Sequence, residues 1–127
     1  MKHIEYLEQC KVFEWAFYNS KKYPALDFMF ASQSGEKFKS ALQGARAKKA
    51  GMRAGVPDIF LPYPNGEYAG LFVELKRPIV KGESKPVISD SQHKYLLYLA
   101  SVGYKAIVCY GAENVINEII KYLNKNT

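Results

Sequence analysis

The chain of 127 residues has only two cysteines, two histidines and no long apolar run. Cys10 and Cys109 have no metal-ligand spacing, so we expect two buried thiols in a reducing compartment, without a zinc site or a disulfide. No apolar run is long enough to span a membrane, and residues 1–5 lack the features of a secretory signal. These absences predict a cytoplasmic protein with no membrane partner.

Acidic residues are also scarce, with 12 against 18 lysines and arginines and a formal charge of +6. The excess is concentrated in two clusters, at 36–53 and 76–85, which contain one acidic residue each. The predicted DNA-contacting cations from these clusters are Lys48, Lys49, Arg53, Arg77, Lys81 and Lys85. A solvated surface would explain either cluster alone, but both flank the candidate site described below, which favours a polyanion such as nucleic acid.

Hydrophobic periodicity and turn residues divide the chain into eight predicted elements. The predicted helices are 4–19, 36–51, 89–101 and 112–123, and the predicted strands are 26–31, 58–61, 69–76 and 104–110. The first helix is apolar over most of its circumference, so we expect it to be largely buried. The element order predicts one α/β domain over residues 1–127, with a short central sheet covered by helices on both faces.

The chemistry centres on two adjacent predicted strands. Residues 55–58 read Gly-Val-Pro-Asp at the start of one, and Glu74 and Lys76 end the next. Side chains alternate along a strand, so Glu74 and Lys76 share a face while their aliphatic neighbours share the other. Asp58 begins the partner strand of this hairpin, and its carboxylate can therefore approach that of Glu74.

Two neighbouring carboxylates repel each other, and a hard divalent cation resolves the conflict. Mg²⁺ prefers oxygen ligands and is readily shared between carboxylates and a phosphate, with Mn²⁺ as a substitute. A lysine beside such a cation can position a water molecule and offset charge in the transition state. Asp58, Glu74 and Lys76 therefore predict a metal-dependent phosphodiesterase. A turn-capping aspartate and a surface Glu–Lys pair are the plainer alternative.

Two further residues are candidates for the same site. Glu8 lies within an otherwise apolar stripe of the first helix, so it requires a cation or a hydrogen-bonding partner and is a candidate third carboxylate. Lys11 is an alternative partner for an acidic residue of this helix. Gln92 either closes a capping box with Ser89 or orients the attacking water, and the residues alone do not separate the two.

Other reaction classes lack their motifs. No glycine-rich loop ends in Lys-Ser or Lys-Thr, which argues against nucleotide-driven chemistry, and no serine lies in a nucleophile elbow.

These residues resemble the virus-type replication-repair nuclease (VRR-NUC) domain, a branch of the PD-(D/E)XK nuclease superfamily. The resemblance covers most of the chain and rests on residues 8–9, Trp15, 53–62, 70–76, 91–92, 103–104 and 108–111. It implies a PD-(D/E)XK nuclease-like central mixed sheet of about four strands flanked by helices. It also implies Asp58, Glu74, Lys76, Gln92 and Glu8 as catalytic residues, with Mg²⁺ held by Asp58, Glu74, Glu8 and the main-chain carbonyl of Leu75.

Short standalone members of this family are often phage-encoded homodimers that cut branched DNA such as four-way junctions. The resemblance therefore implies a homodimeric, structure-selective DNA endonuclease acting in the cytoplasm, which is that of a bacterial host if a phage encodes it. The alternatives are a non-catalytic DNA-binding module on the same fold and a protein-interaction domain with an incidental basic face. The segment 32–35 and the long loop 77–89 depart from the family pattern, in regions where substrate would dock.

Overall fold

The computed structural model describes residues 3–32 and 38–125. Within these ranges the chain forms four α-helices, four strands and one 3₁₀ helix. In chain order they are α1 (His3–Asn19), the 3₁₀ helix (Pro24–Phe28), β1 (Phe30–Ala31), α2 (Ala41–Lys49), β2 (Ile59–Leu61), β3 (Leu71–Lys76), α3 (Asp90–Ser101), β4 (Lys105–Tyr110) and α4 (Ala112–Leu123).

The four strands form one mixed sheet in the order β1-β2-β3-β4. β1 and β2, and β2 and β3, pair antiparallel, whereas β3 and β4 run parallel. A parallel pair requires a crossover connection, and α3 provides it. The predicted mixed sheet of about four strands flanked by helices is confirmed.

The two faces of β3 separate the core from the candidate site. Leu71, Val73 and Leu75 are fully buried in the main core cluster, which also contains Val12 of α1 and Val115 of α4. Their neighbours along the strand point to the opposite face. The α3 side chain of Gln92 contacts Glu74 and Lys76 on that face. Helices α1 and α4 therefore cover one side of the sheet, and α3 covers the other.

Helix α1 departs from the sequence-based expectation. Only Glu8, Val12 and Ala16 are buried, so the prediction that the helix is largely buried is wrong. One stripe of the helix packs on the sheet and α4, and the apolar residues on its other sides face outward. The exposed large apolar side chains are Ile4, Tyr6, Leu7, Phe17 and Tyr18. Cys10 is exposed as well, which overturns its predicted burial, whereas Cys109 is buried, and both thiols are free.

The predicted strand at 26–31 is also wrong over most of its length. Pro24 opens a 3₁₀ helix that extends to Phe28, and the strand itself contains only Phe30 and Ala31. Proline fixes φ near the helical value at the first position of a helix. Leu26 and Met29 are buried three residues apart, which suits the three-residue repeat of a 3₁₀ turn.

Helix α2 confirms the expected exposed basic helix, since none of its residues is buried. It begins after the N-cap residue Ser40, later than the predicted start. Residues 36 and 37 of the predicted helix, and residues 33–35 of the segment that departs from the family pattern, lie outside the described residues. Helix α4 has the predicted bounds. In the part of the chain that the structure describes, no helix is long and apolar enough to cross a membrane.

Candidate active site

The candidate site lies where the start of β2, the end of β3 and the first turn of α3 meet. Ile59 is paired with Val73, and continuing that antiparallel register by one residue places Asp58 opposite Glu74. Directly opposed residues of an antiparallel pair present their side chains on the same face. The structure therefore brings the two predicted carboxylates together.

Asp58 is buried and is fixed by main-chain hydrogen bonds on both sides. Its Oδ2 accepts a hydrogen bond of 2.7 Å from the Leu75 N–H. Its carbonyl oxygen accepts another, of 2.8 Å, from the Ser32 N–H. The first bond joins Asp58 to β3, so the carboxylate is held beside the strand that carries Glu74 and Lys76.

Glu74 is only 3% exposed, and its surroundings oppose a negative charge. The pKa of Glu74 is raised to about 9, first by burial and then by the neighbouring carboxyl group of Asp58. The charge of Glu5 also contributes to the rise, whereas the charge of Lys76 opposes it. Glu74 Oε1 is buried, and no donor among the described residues reaches it. A buried acceptor without a donor is costly in a folded protein, and a bound cation would satisfy it.

Lys76 and Gln92 complete the contacts on this face. Lys76, which is 9% exposed, donates through Nζ to Gln92 Oε1 at 3.2 Å. Gln92 donates through Nε2 to Glu74 Oε2 at 3.3 Å. The amide of Gln92 therefore links the ammonium group to the carboxylate and fixes the position of each.

Gln92 is a helix cap as well. Ser89 Oγ accepts from the Gln92 N–H at 3.2 Å, and Gln92 Oε1 accepts from the Ser89 N–H at 2.8 Å. This reciprocal pair is the predicted capping box at the start of α3. The two interpretations of Gln92 are therefore compatible, because the cap holds the side chain where it touches Lys76 and Glu74.

Gly55 brings α3 close to the segment before Asp58. Its φ of +87° suits glycine, and a Cβ at this position would lie 2.4 Å from the Ser91 carbonyl oxygen. The main chain before β2 and the first turn of α3 are thus in direct contact. This contact sets the distance between the helix that carries Gln92 and the strand that follows Asp58.

Glu8 is buried as predicted, and both of its carboxylate oxygens have partners. Oε1 accepts from the Ala112 N–H at 3.0 Å, at the start of α4, and Oε2 pairs with Lys11 Nζ at 2.6 Å. The hydrogen bond from Lys11 and then that from Ala112 lower the pKa of Glu8. Glu8 therefore joins α1 to α4, and its role as a metal ligand remains a prediction that would require it to leave one of these partners.

Sequence reasoning missed Glu5, whose charge acts on Glu74. Gln9 follows it by one helical turn on the same face of α1, and the Oε1 of Gln9 is buried without a hydrogen-bond partner among the described residues. The spacing of Glu5 and Gln9 places them on one face of α1, but it does not indicate that this face lies near Glu74. No group of three or more His, Cys, Asp or Glu side chains that could hold a metal occurs in the described part of the chain.

The predicted DNA-contacting cations lie on two segments of the chain, one before Asp58 and one after Lys76. Lys48, Lys49 and Arg53 are exposed, on α2 and just after it. Arg77 is partly engaged, since it donates to the Ser84 carbonyl oxygen at 2.7 Å and pairs with Glu83. The last three cations, Arg77, Lys81 and Lys85, belong to the loop between β3 and α3, and Lys85 Nζ lies 4.8 Å from the centre of the Tyr110 ring.

The VRR-NUC domain family model matches residues 3–113. The chain belongs to this family. A solved structure titled VRR_NUC domain protein is similar over 98% of this chain and 91% of its own, at 28% sequence identity and a TM-score of 0.77. No curated protein matches the chain.

Membership of the VRR-NUC family implies a nuclease-type function in DNA processing. The geometry agrees with that class of reaction, because two apposed carboxylates, a buried lysine and a glutamine meet at the open end of a hairpin.

Proposed function

We propose that this VRR-NUC protein is an Mg²⁺-dependent endonuclease that hydrolyses phosphodiester bonds in branched DNA. The observation that carries the proposal is the pairing of Asp58 with Glu74, whose buried Oε1 has no donor among the described residues. Lys76 and Gln92 contact this pair on the same face of the sheet.

The residues present fit a hard divalent cation. Asp58, Glu74 and the main-chain carbonyl of Leu75 would hold it, which is a small oxygen set of the kind that Mg²⁺ completes with water and phosphate. Glu5 or Glu8 of α1 would add further negative charge. When bound, Mg²⁺ polarises the scissile phosphate and makes a water molecule easier to deprotonate, and Mn²⁺ can replace it.

The protein's own groups orient the reactants. Lys76 would place its ammonium group against the phosphate and offset the negative charge that develops there. Gln92 accepts a hydrogen bond from that ammonium group through its Oε1, and its own side chain is uncharged. The cations at 48, 49 and 53 and on the loop 77–85 would contact phosphates on either side of the cleaved bond.

The selectivity for branched DNA is proposed together with a homodimer. Two copies would bring two sites to one branch, as cutting of paired strands requires. The exposed apolar side chains of α1 support the dimer, because large exposed apolar side chains favour burial in a protein contact.

A cleavage panel tests the reaction and the substrate class. Duplex, single-stranded, flap and four-way junction DNA are incubated with the protein in Mg²⁺, Mn²⁺, Ca²⁺ or EDTA. We expect cutting only with Mg²⁺ or Mn²⁺ and fastest on branched DNA. Equal cutting of all four substrates would contradict the branch selectivity, and cutting in EDTA would contradict the metal requirement.

Two variants separate catalysis from binding. Asp58→Asn keeps an acceptor for the Leu75 N–H, and Lys76→Ala removes the ammonium group; each should slow cleavage about 100-fold or more. Both should still bind DNA in EDTA. Asp27→Asn and Lys121→Ala, at exposed positions, are the matched controls. Binding without cleavage by the unmodified protein would favour the non-catalytic module instead.

A further inference from the structure

A cavity of about 380 Å³ lies on the flank of α3 beside the candidate active site. Its lining residues are Arg53, Ala54, Ser91, Lys94, Tyr95 and Tyr98. On α3 these positions follow the i, i+3, i+4, i+7 spacing of one helical face. The size lies within the range of about 300–1,000 Å³ found for small-molecule sites.

The walls of the cavity are continuous in the chain with residues of the candidate active site. Ser91 precedes Gln92, which touches Lys76 and Glu74. The opposite wall, Arg53 and Ala54, leads through Gly55 to Asp58, and the close backbone contact of Gly55 with Ser91 holds the two walls together. A nucleotide in the cavity would therefore adjoin the phosphate at the active site.

The lining combines two kinds of group that together suit a nucleotide. Tyr95 is half-buried and Tyr98 is 61% exposed, so the phenol rings offer flat apolar surface. Arg53 and Lys94 are exposed cations, and within the described residues neither forms an ion pair with a carboxylate. Aromatic rings stack on unpaired bases while cations follow the phosphates, which is the usual design of single-strand binding sites.

We propose that this cavity binds one unpaired nucleotide flanking the scissile phosphate, with its base against Tyr98 and its phosphate between Arg53 and Lys94. The proposal rests on the DNA endonuclease function above and adds to it a source of selectivity. A base inside a duplex is stacked between its neighbours and cannot enter the cavity. A base at a branch point or a bulge is free to enter, so branched DNA gains a contact that duplex DNA lacks.

Binding of 2-aminopurine oligonucleotides in EDTA tests the cavity without any cleavage. One probe is a duplex with a single unpaired 2-aminopurine, and the other is the same duplex fully paired. We expect Tyr98→Ala to weaken binding of the first probe about fivefold or more, the low end of one base–aromatic stack, and to leave the second unchanged. Tyr98→Phe should retain the affinity and the fluorescence quenching of the unpaired base.

Two further variants make the result specific. Tyr63→Ala removes a partly exposed tyrosine at the opposite end of β2 and should have no effect on either probe. Lys94→Ala should weaken binding. It should also make the slope of log K against log[salt] less steep, by the amount expected for the loss of about one phosphate contact. If Tyr98→Ala changes both probes by the same factor, or changes neither, the subsite is wrong.

The outcome is separable from the proposed endonuclease activity. A Tyr98-dependent preference for the unpaired probe, in a protein that cleaves nothing in Mg²⁺, would sustain the subsite and refute the endonuclease. Cleavage of branched DNA that Tyr98→Ala leaves unchanged, together with unchanged binding, would sustain the endonuclease and refute the subsite.

Discussion

Glu74 occupies a position that suits a metal ligand and is costly for the metal-free protein. Its pKa of about 9, raised mainly by burial, means that the folded protein retains a proton on this carboxyl where the unfolded chain has lost it. Below the ordinary pKa of 4.5 both states are protonated. Between pH 4.5 and about 9, unfolding releases a proton, so rising pH lowers the free energy of unfolding.

Glu74→Gln should remove this pH dependence in the metal-free protein. The amide cannot ionise, so its free energy of unfolding should fall less steeply from pH 5 to pH 9 than that of the unmodified protein. Urea denaturation in EDTA at several pH values measures the slope. Glu14→Gln, at an exposed position of α1, is the control and should leave the slope as it is. Parallel curves for Glu74→Gln and the unmodified protein would contradict the assignment.

The site residues that could be predicted from the sequence are those whose positions follow from a pattern between neighbouring residues or adjacent strands. Strand alternation placed Glu74 and Lys76 on one face, and the hairpin placed Asp58 opposite them. The pairing of Glu8 with Lys11 is local, but its second partner could not be predicted in this way, since the Ala112 N–H is 104 residues away in the chain. Glu5 was missed for the same reason, because its effect on Glu74 depends on how α1 packs against β3.

At the scale of elements, two serine N-caps provide a matched comparison. Ser89 Oγ caps α3 and Ser40 Oγ caps α2, and each accepts an N–H three residues later at 3.2 Å. Replacing either with alanine should lower the free energy of unfolding by about 1 kcal/mol. Only Ser89→Ala should also slow DNA cleavage, because the Ser89 cap holds Gln92 against Lys76 and Glu74.

Cleavage rate and urea denaturation are measured on both variants. Ser89→Asn, which restores a capping side chain, should recover both stability and rate. A loss of rate as large in Ser40→Ala as in Ser89→Ala would show that general destabilisation, and not the position of Gln92, controls activity.

Elements with one strong pattern were predictable, whereas those decided by competing local signals were not. In α4, Val115 and Ile119 repeat at helical spacing and are fully buried, and the helix has its predicted bounds. The stretch 26–31 is rich in apolar residues, as a strand is, yet Pro24 starts a 3₁₀ helix within it. Composition indicates burial there, but it does not distinguish a strand from a 3₁₀ turn with buried residues three apart.

At the scale of the whole molecule, α1 carries more exposed large apolar side chains than any other element of the described chain. Its 17 residues extend roughly 25 Å at 1.5 Å per residue. One stripe packs on the core, while Phe17 and Tyr18 are each 75% exposed and contact each other edge to face, with ring centres 5.2 Å apart. A helix that is apolar all round is normally covered on more than one side. A second copy of the chain is the partner that we propose for the outward side of α1.

Phe17→Lys should therefore convert a dimer into a monomer, since a charge placed in a buried apolar contact is costly. Sedimentation across a concentration series should give twice the 14.4 kDa chain mass for the unmodified protein, and the single-chain mass for the variant. Val87→Lys, at a position 83% exposed in the loop before α3, should remain dimeric. Monomeric Phe17→Lys should still cleave a flap, because each chain carries its own Asp58, Glu74 and Lys76. It should lose paired cuts at a four-way junction, because these require two sites at one branch. A protein that is monomeric throughout the series would refute the dimer and would leave branch selectivity to contacts within one chain.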